Sequence, residues 1–232
     1  MPQAVSEVFD PLRNEFVGLH RLWALFRTMF GHSEARIDLL NRVSSVFFGY
    51  TQVSIYLDII LALCRHTDPA GNVTKKGDDR RNLTLERLVN VVTADDAAFG
   101  RALTTDEWAA VKAYRDAEFE EIRSKRIAHN DFTKMTARHS GQPIGWPSHE
   151  KVGRFLDLCI ALMDKVQQHY IGSPFPFDFN ASDGQKGGEV LIRVLGEYAK
   201  WHDAGMQDGS RLQWGIAPPK DYHKKLAALA SQ

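Results

Sequence analysis

Apolar side chains recur along most of this chain at intervals of three and four residues, the period of a helix with one buried face. Leu12, Phe16, Leu19, Trp23, Phe26 and Phe30 form the first such series. Asp10 suits an N-cap and Pro11 a first helical position, so a helix is predicted from Pro11 to Phe30, ended by Gly31. A second apolar block covers about Ser33 to His66, as one long helix or as two broken near Gly49. Asp68 to Asn72 is a loop by composition, continued by the mixed charges of Lys75 to Arg81. A shorter helix is predicted from about Thr84 to Thr93. Another begins at Thr104, where Thr104 and Glu107 have the spacing of a capping box, and runs through Trp108, Val111, Phe119 and Ile122 to about Ala128. Residues 130–148 hold two prolines, two glycines and no period, and read as a loop. Ser148 caps the next helix, which ends near Ile171.

After Gly172 the texture changes. Ser173 to Pro176 and Asp183 to Gly188 read as irregular, with a helix from Glu189 to Trp201, a loose stretch to Pro219 and a short terminal helix. No repeat is visible, and no strand alternation runs longer than a few residues. The pattern predicts an all-α bundle of about five core helices in a domain over 1–171, with a helical C-terminal extension over 172–232.

Composition narrows this little. Of the 232 residues, 44% are apolar and 25% charged, as in ordinary globular proteins. Lys and Arg total 29 and Asp and Glu total 29, so no global field draws the chain to nucleic acid or anionic membrane. Any phosphate contact must come from a local patch. The two cysteines, Cys64 and Cys159, lie in apolar helical stretches and are expected as buried, reduced thiols, in keeping with a cytoplasmic protein. The start of the chain lacks the regions of a secretory signal. The most apolar run, Val46 to Leu63, has the length of a short membrane span, but Gln52, Asp58 and several hydroxyls favour a buried core helix and no membrane.

One segment stands out chemically. Between Glu121 and Asp131, Arg123, Lys125, Arg126 and His129 fall within seven residues, and Lys134, Arg138 and His139 follow. On spacing alone this is first the solvated basic end of a helix, where cations suit the macrodipole. It also supplies what metal-free RNA cleavage needs. A histidine moves protons near neutral pH, and a guanidinium fork holds a phosphate and offsets transition-state charge.

The Arg-x5-His spacing resembles the signature of HEPN proteins, helical RNases and RNA binders of prokaryotic defence and toxin systems. The surroundings resemble the abortive-infection AbiU type in particular. Its Leu-x-Arg/Leu-x-Asp-Pro stretch is similar to Leu63-Cys-Arg-His-Thr-Asp-Pro69, and its Asn-Leu-Thr/Ser helix start to Asn82-Leu-Thr-Leu-Glu-Arg-Leu88. A helix ending Arg-Ser-Lys-Arg-Ile-Ala-His-Asn-Asp131 follows in order. The resemblance covers about residues 11–171. Ser124 departs from it, since many members carry Asn or another strongly polar residue there. The resemblance implies a metal-independent endoribonuclease without cofactor, with Arg123 and His129 catalytic and Arg126, Lys125, Asn130, Lys134 and Arg138 on the RNA. It also implies a homodimer, and a cognate antitoxin or other defence partner. The alternatives are a non-catalytic HEPN module that binds RNA or protein, and a purely structural bundle.

Helix geometry constrains the site. Six residues turn an α-helix by about 600°, which leaves Arg123 and His129 about 120° apart and about 9 Å displaced along the axis. Either the helix ends near Ala128, with Asn130 and Asp131 turning the chain, or the two motifs of a dimer face one cleft. The second suits the resemblance better. Arg115 and Glu118 lie inside the apolar arc of the same helix and are expected to pair structurally beside the site. No His/Cys cluster has zinc-ligand spacing, and no phosphate-binding glycine loop or nucleophile elbow is present. His20, His66, His169 and His202 are scattered, and Trp201 and Trp214 are expected to pack rather than stack on bases.

Overall fold

A computed structural model describes residues 1–31, 33–73, 79–122 and 146–207. The fold is all-α. Helix α1 spans Gln3–Phe26 and closes in a π-helical turn, Arg27–Gly31. Helix α2 spans Glu34–His66. Two three-residue strands, β1 (Gly71–Val73) and β2 (Asp79–Arg81), pair antiparallel with Asn72 opposite Arg80. Then come α3 (Leu85–Asp95), α4 (Ala97–Leu103), a π-helical turn (Thr104–Trp108), α5 (Ala109–Glu118) and a single turn α6 (Glu120–Ile122). Helices α7 (His149–Ile171) and α8 (Phe177–Gln207) complete the described chain.

The chain divides into two compact units that are not consecutive in sequence. One holds Met1–His20 and Leu57–Asp178; the other holds Arg21–Tyr56 and Phe179–Gln232, described through Gln207. The division by contacts thus differs from the serial one at residue 171.

The first unit is built on α1, α3, α5, α7 and the last turns of α2. Helix α1 begins at Gln3, seven residues before the predicted cap, and carries Pro11 in its interior. A mid-helix proline loses one hydrogen bond and crowds the carbonyl four residues back, at about 3 kcal/mol. The added turns bury Val5, Val8 and Phe9, none more than 4% exposed. At about 1.5–3 kcal/mol for each large apolar side chain, that burial outweighs the proline. Asp10, read as the cap, instead pairs with Arg13 at 3.0 Å.

Helix α3 starts where predicted and is capped by Thr84, whose hydroxyl accepts from the Arg87 N–H. The capping box at Thr104 does not form. The Thr104 hydroxyl donates back to the Gly100 carbonyl at 2.7 Å, and the working cap lies earlier, where Asp96 Oδ1 accepts from the Ala98 and Phe99 N–H groups. Leu103 and Trp108, five residues apart, are both buried. An α-helical period cannot put both on one face; the π-turn absorbs the extra residue. Gly100 is dictated by contact, because a Cβ there would sit 2.3 Å from Thr93 Cα.

The expected loop after Asp68 is partly a hairpin, too short for alternation to register in the sequence. Ser148 caps α7 and Gly172, at φ 80°, ends it, both as expected. Cys64 and Cys159 are buried and free, and burial pushes the Cys159 thiol well up.

The second unit packs the end of α1, the first part of α2 and most of α8. Phe26 stacks on Tyr56 at 5.1 Å and on Trp23 at 5.6 Å. Helix α2 is kinked at Ser44 (φ −166°, ψ 91°), not at Gly49. The helix is long and apolar enough to cross a membrane, and 28% of its most apolar stretch is buried. Burial of the kind expected of a core helix is confined to its last turns, at Ile59, Ile60, Leu63 and Cys64, with Leu40, Phe48 and Tyr56 as single buried positions before them.

The glycine-rich stretch read as irregular is the first half of α8. Gly184 faces the Arg21 carbonyl, and Gly188 faces Thr28. At these two positions the missing side chain lets α8 close on α1, and Arg36 clamps the same region with a two-pronged bond to Glu189 at 2.9 and 3.0 Å. A Cβ on Gly184 would lie 2.1 Å from the Arg21 oxygen, whereas one on Gly187 would meet nothing within 4 Å. Gly184→Ala is therefore expected to cost about 1–3 kcal/mol through overpacking. Gly187→Ala should stabilise by about 0.5–1 kcal/mol through helix propensity. Urea unfolding of the two variants beside the parent checks the pair, and equal effects would remove the close-approach argument.

Candidate functional site

The described chain stops one residue short of the Arg-x5-His segment. Arg123, Lys125, Arg126, His129, Asn130, Asp131, Lys134 and Arg138 lie outside the described residues. What the structure does show is how the chain is held up to that point and what surrounds the other motif-bearing stretches.

The two stretches Leu63–Pro69 and Asn82–Leu88, separated by residues 70–81, are bonded directly to each other. The Asn82 side-chain amide donates to the Pro69 carbonyl at 3.2 Å, and its backbone N–H to the Ala70 carbonyl at 2.9 Å. The Ala70 N–H donates to the Glu86 carboxylate at 2.7 Å. His66 Nδ1, as the donor tautomer, reaches the Leu83 carbonyl at 3.4 Å. The family-like residues here are therefore a structural staple around a chain reversal. Asp, Asn and Pro suit that turn, because they bond backbone locally and cannot continue a helix.

Helix α5 is fastened to the same reversal. Arg115, with a side chain 12% exposed, donates from Nη1 to the Thr67 carbonyl at 2.5 Å. It also pairs with Asp116, whose side chain is 54% exposed. Thr67 is fully buried, and its hydroxyl donates back to the Leu63 carbonyl. The Arg115–Glu118 pair expected from spacing does not form. Glu118 instead meets Lys151 of α7 at 2.5 Å, a bond that raises the lysine's pKa by its hydrogen bond and charge. Each charge on the apolar arc has found a partner from another element, which spacing within one helix could not foretell.

Nor does α5 continue unbroken towards Ala128. It ends at Glu118, where Phe119 leaves the helical conformation (φ −123°, ψ −15°). The break seats Phe119, 0% exposed, against Phe155 at 4.6 Å between ring centres. Ile122, the last described residue before Arg123, is buried too. The segment with the candidate catalytic groups thus leaves from an anchored point on α5, α6 and α7. Among the described residues, no group of three or more His, Cys, Asp or Glu could hold a metal ion.

Two of the scattered histidines carry structure. His169 stacks on Phe99 at 3.8 Å and meets Asp96 at 3.4 Å, while Tyr170 donates to Asp95 at 2.8 Å. Together they tie the end of α7 to the α3–α4 corner. His66 is 8% exposed, its ring against Phe16.

A family model described as AbiU2, of the HEPN class, matches residues 2–187. The match takes in the start of α1, the stapled reversal, the Arg123–His129 segment and the first part of α8. No curated protein and no solved structure matches the chain.

Two measurements probe the staple. Arg115→Met removes a charge-assisted bond worth about 1.5–3 kcal/mol from a mostly buried site, whereas Asp116→Asn, at an exposed pair, should cost less than about 0.5 kcal/mol. Chemical denaturation that finds both neutral would refute the clamp. The pKa of His66 is held below its usual 6.5, by burial first and then by Arg65, against the opposing pulls of the Leu83 carbonyl and Glu15. An unfolded chain then takes up a proton on His66 before the folded one does. The contribution of neutral His66 is whole above about pH 6.5 and is lost as pH falls through the lower folded value. His66→Phe should flatten that part of the stability–pH curve.

Proposed function

The chain belongs to the HEPN AbiU2 family, and from that premise we propose that it is a metal-independent endoribonuclease of the abortive-infection type. Support comes from the family match across the Arg123–His129 segment, and from the anchored Phe119–Ile122 turn that leads into it. In this mechanism the 2′-oxygen of the RNA attacks the adjacent phosphorus and the 5′-oxygen leaves. The products are a 2′,3′-cyclic phosphate and a 5′-hydroxyl. His129 moves the proton as general acid and base, Arg123 clamps the phosphate, and Arg126 assists. Lys125, Asn130, Lys134 and Arg138 hold the flanking backbone. Arg115, Glu118 and Asp131 keep the segment in place rather than touch the reacting atoms.

The working unit is a homodimer in which both motifs face one cleft. That arrangement concentrates two arginines and two histidines in a chain of zero net charge. The setting is the cytoplasm of an infected cell, with a cognate antitoxin or other defence partner restraining the enzyme. A second reading, a non-catalytic module that binds RNA or a protein, is favoured by Ser124 at a position where many members carry a stronger polar group.

Incubation of the pure protein with end-labelled RNA in EDTA separates these readings. Cleavage with cyclic-phosphate ends is expected, and His129→Ala should abolish it, general acid–base catalysis being worth about 10²–10⁴-fold. Mixed Arg123→Ala and His129→Ala chains should recover part of the activity if the cleft is shared. Salt-dependent RNA binding without cleavage would leave the second reading. Full activity of His129→Ala would remove it from the mechanism.

A further inference from the structure

Helix α2 presents an apolar stripe that stays exposed beside the described residues of its own unit. Val46 is 70% exposed, Phe47 61%, Tyr50 75% and Val53 52%. On the other side of the same turns, Phe48 and Tyr56 are buried, at 6% and 8%. This stretch is therefore apolar on two faces, and the described residues of its own unit bury only one. Single exposed apolar residues need no explanation, but four on one helix face do.

The character of the stripe selects its occupant. Val46, Tyr50 and Val53 are spaced four and then three residues apart, the rhythm by which one helix takes the side chains of another between its own. No charged residue occurs from Val43 to Leu57. The patch is bounded at its N-terminal rim by the Arg42–Asp203 ion pair at 3.5 Å. A surface without charge complements itself, so two copies related by a two-fold axis can meet there without burying an unpaired ion. Gly49, next to Tyr50, has open space where a Cβ would be, which lets a second backbone come close.

Area sets the strength. Two aromatic side chains, each able to bury about 150–250 Å², and two valines offer several hundred Å² a side. That is short of the roughly 800 Å² of a standard interface, so the contact is one that dissociates on dilution. A lipid surface fits less well. A helix lying in a membrane interface keeps a cationic polar face towards water, and here the opposite face is packed into protein.

We propose that the Val46–Val53 face of α2 packs against the same face of a second copy of this chain, with Tyr50 near the two-fold axis. The proposal names the surface for the homodimer of the preceding section and does not require RNA cleavage. Light scattering at tens of micromolar should find the parent chain dimeric and Tyr50→Glu monomeric, with the two unfolding alike at concentrations low enough to dissociate the parent. Tyr50→Cys should give a disulfide-linked dimer on oxidation, the native cysteines being buried. A monomeric parent chain overturns both the surface and the homodimer. Tyr50→Glu that stays dimeric, with Tyr50→Cys that fails to cross-link, overturns the surface alone. Loss of the dimer with full RNA cleavage sustains the surface and ends the shared cleft. Tyr50-dependent sedimentation with phosphatidylcholine–phosphatidylglycerol vesicles, and no change in oligomeric state, would also overturn it.

Discussion

A largely buried guanidinium reaching a backbone carbonyl, Arg115 to Thr67, organises the first unit. A charge that sheltered is tolerated only when its donors are matched. Here the partners are the peptide oxygen at the end of α2 and the neighbouring Asp116. The bond fixes α5 against the chain reversal that follows α2. The same reversal is closed from the other side by Asn82 and by Glu86 of α3. Three helices far apart in sequence therefore meet at one turn, and the path towards Arg123 starts from that frame.

The frame explains why the family-like residues outside the Arg-x5-His segment are polar yet not catalytic in character. Their bonds go to backbone groups that a tight reversal leaves without a helical or strand partner. His66 fits the same logic. Burial holds it neutral, and its ring donates to the Leu83 carbonyl while packing on Phe16. A histidine in this position is part of the architecture and is poorly suited to proton transfer.

The second unit rests on a different constraint, the approach of two backbones. Gly184 and Gly188, one turn apart, put bare backbone against Arg21 and Thr28. The closeness of that approach sets where Arg36 can reach Glu189. It also accounts for a helix running through residues that propensity alone would leave irregular. Glycine costs about 1 kcal/mol in a helix, and a contact that only glycine permits offsets it.

The sequence by itself determined the helical class, the helix start near Thr84, the cap at Ser148, the stop at Gly172, the buried thiols and the family, because each depends on a local period or a short ordered motif. Boundaries were less legible wherever a distant partner outweighed a local signal. Asp10-Pro11 looks like a helix start, yet the burial of Val5, Val8 and Phe9 carries α1 past it. Thr104 and Glu107 have capping-box spacing, yet a π-turn that brings Leu103 and Trp108 to one core runs through them. Arg115 and Glu118 sit at pairing distance along one helix, yet Thr67 and Lys151 claim them from other elements. Tertiary structure alone decided these, and also the interleaving of the two units and the exposed stripe on α2. Hydrophobic period tells which residues seek burial, but only the packed chain determines which of two apolar faces its own core can cover.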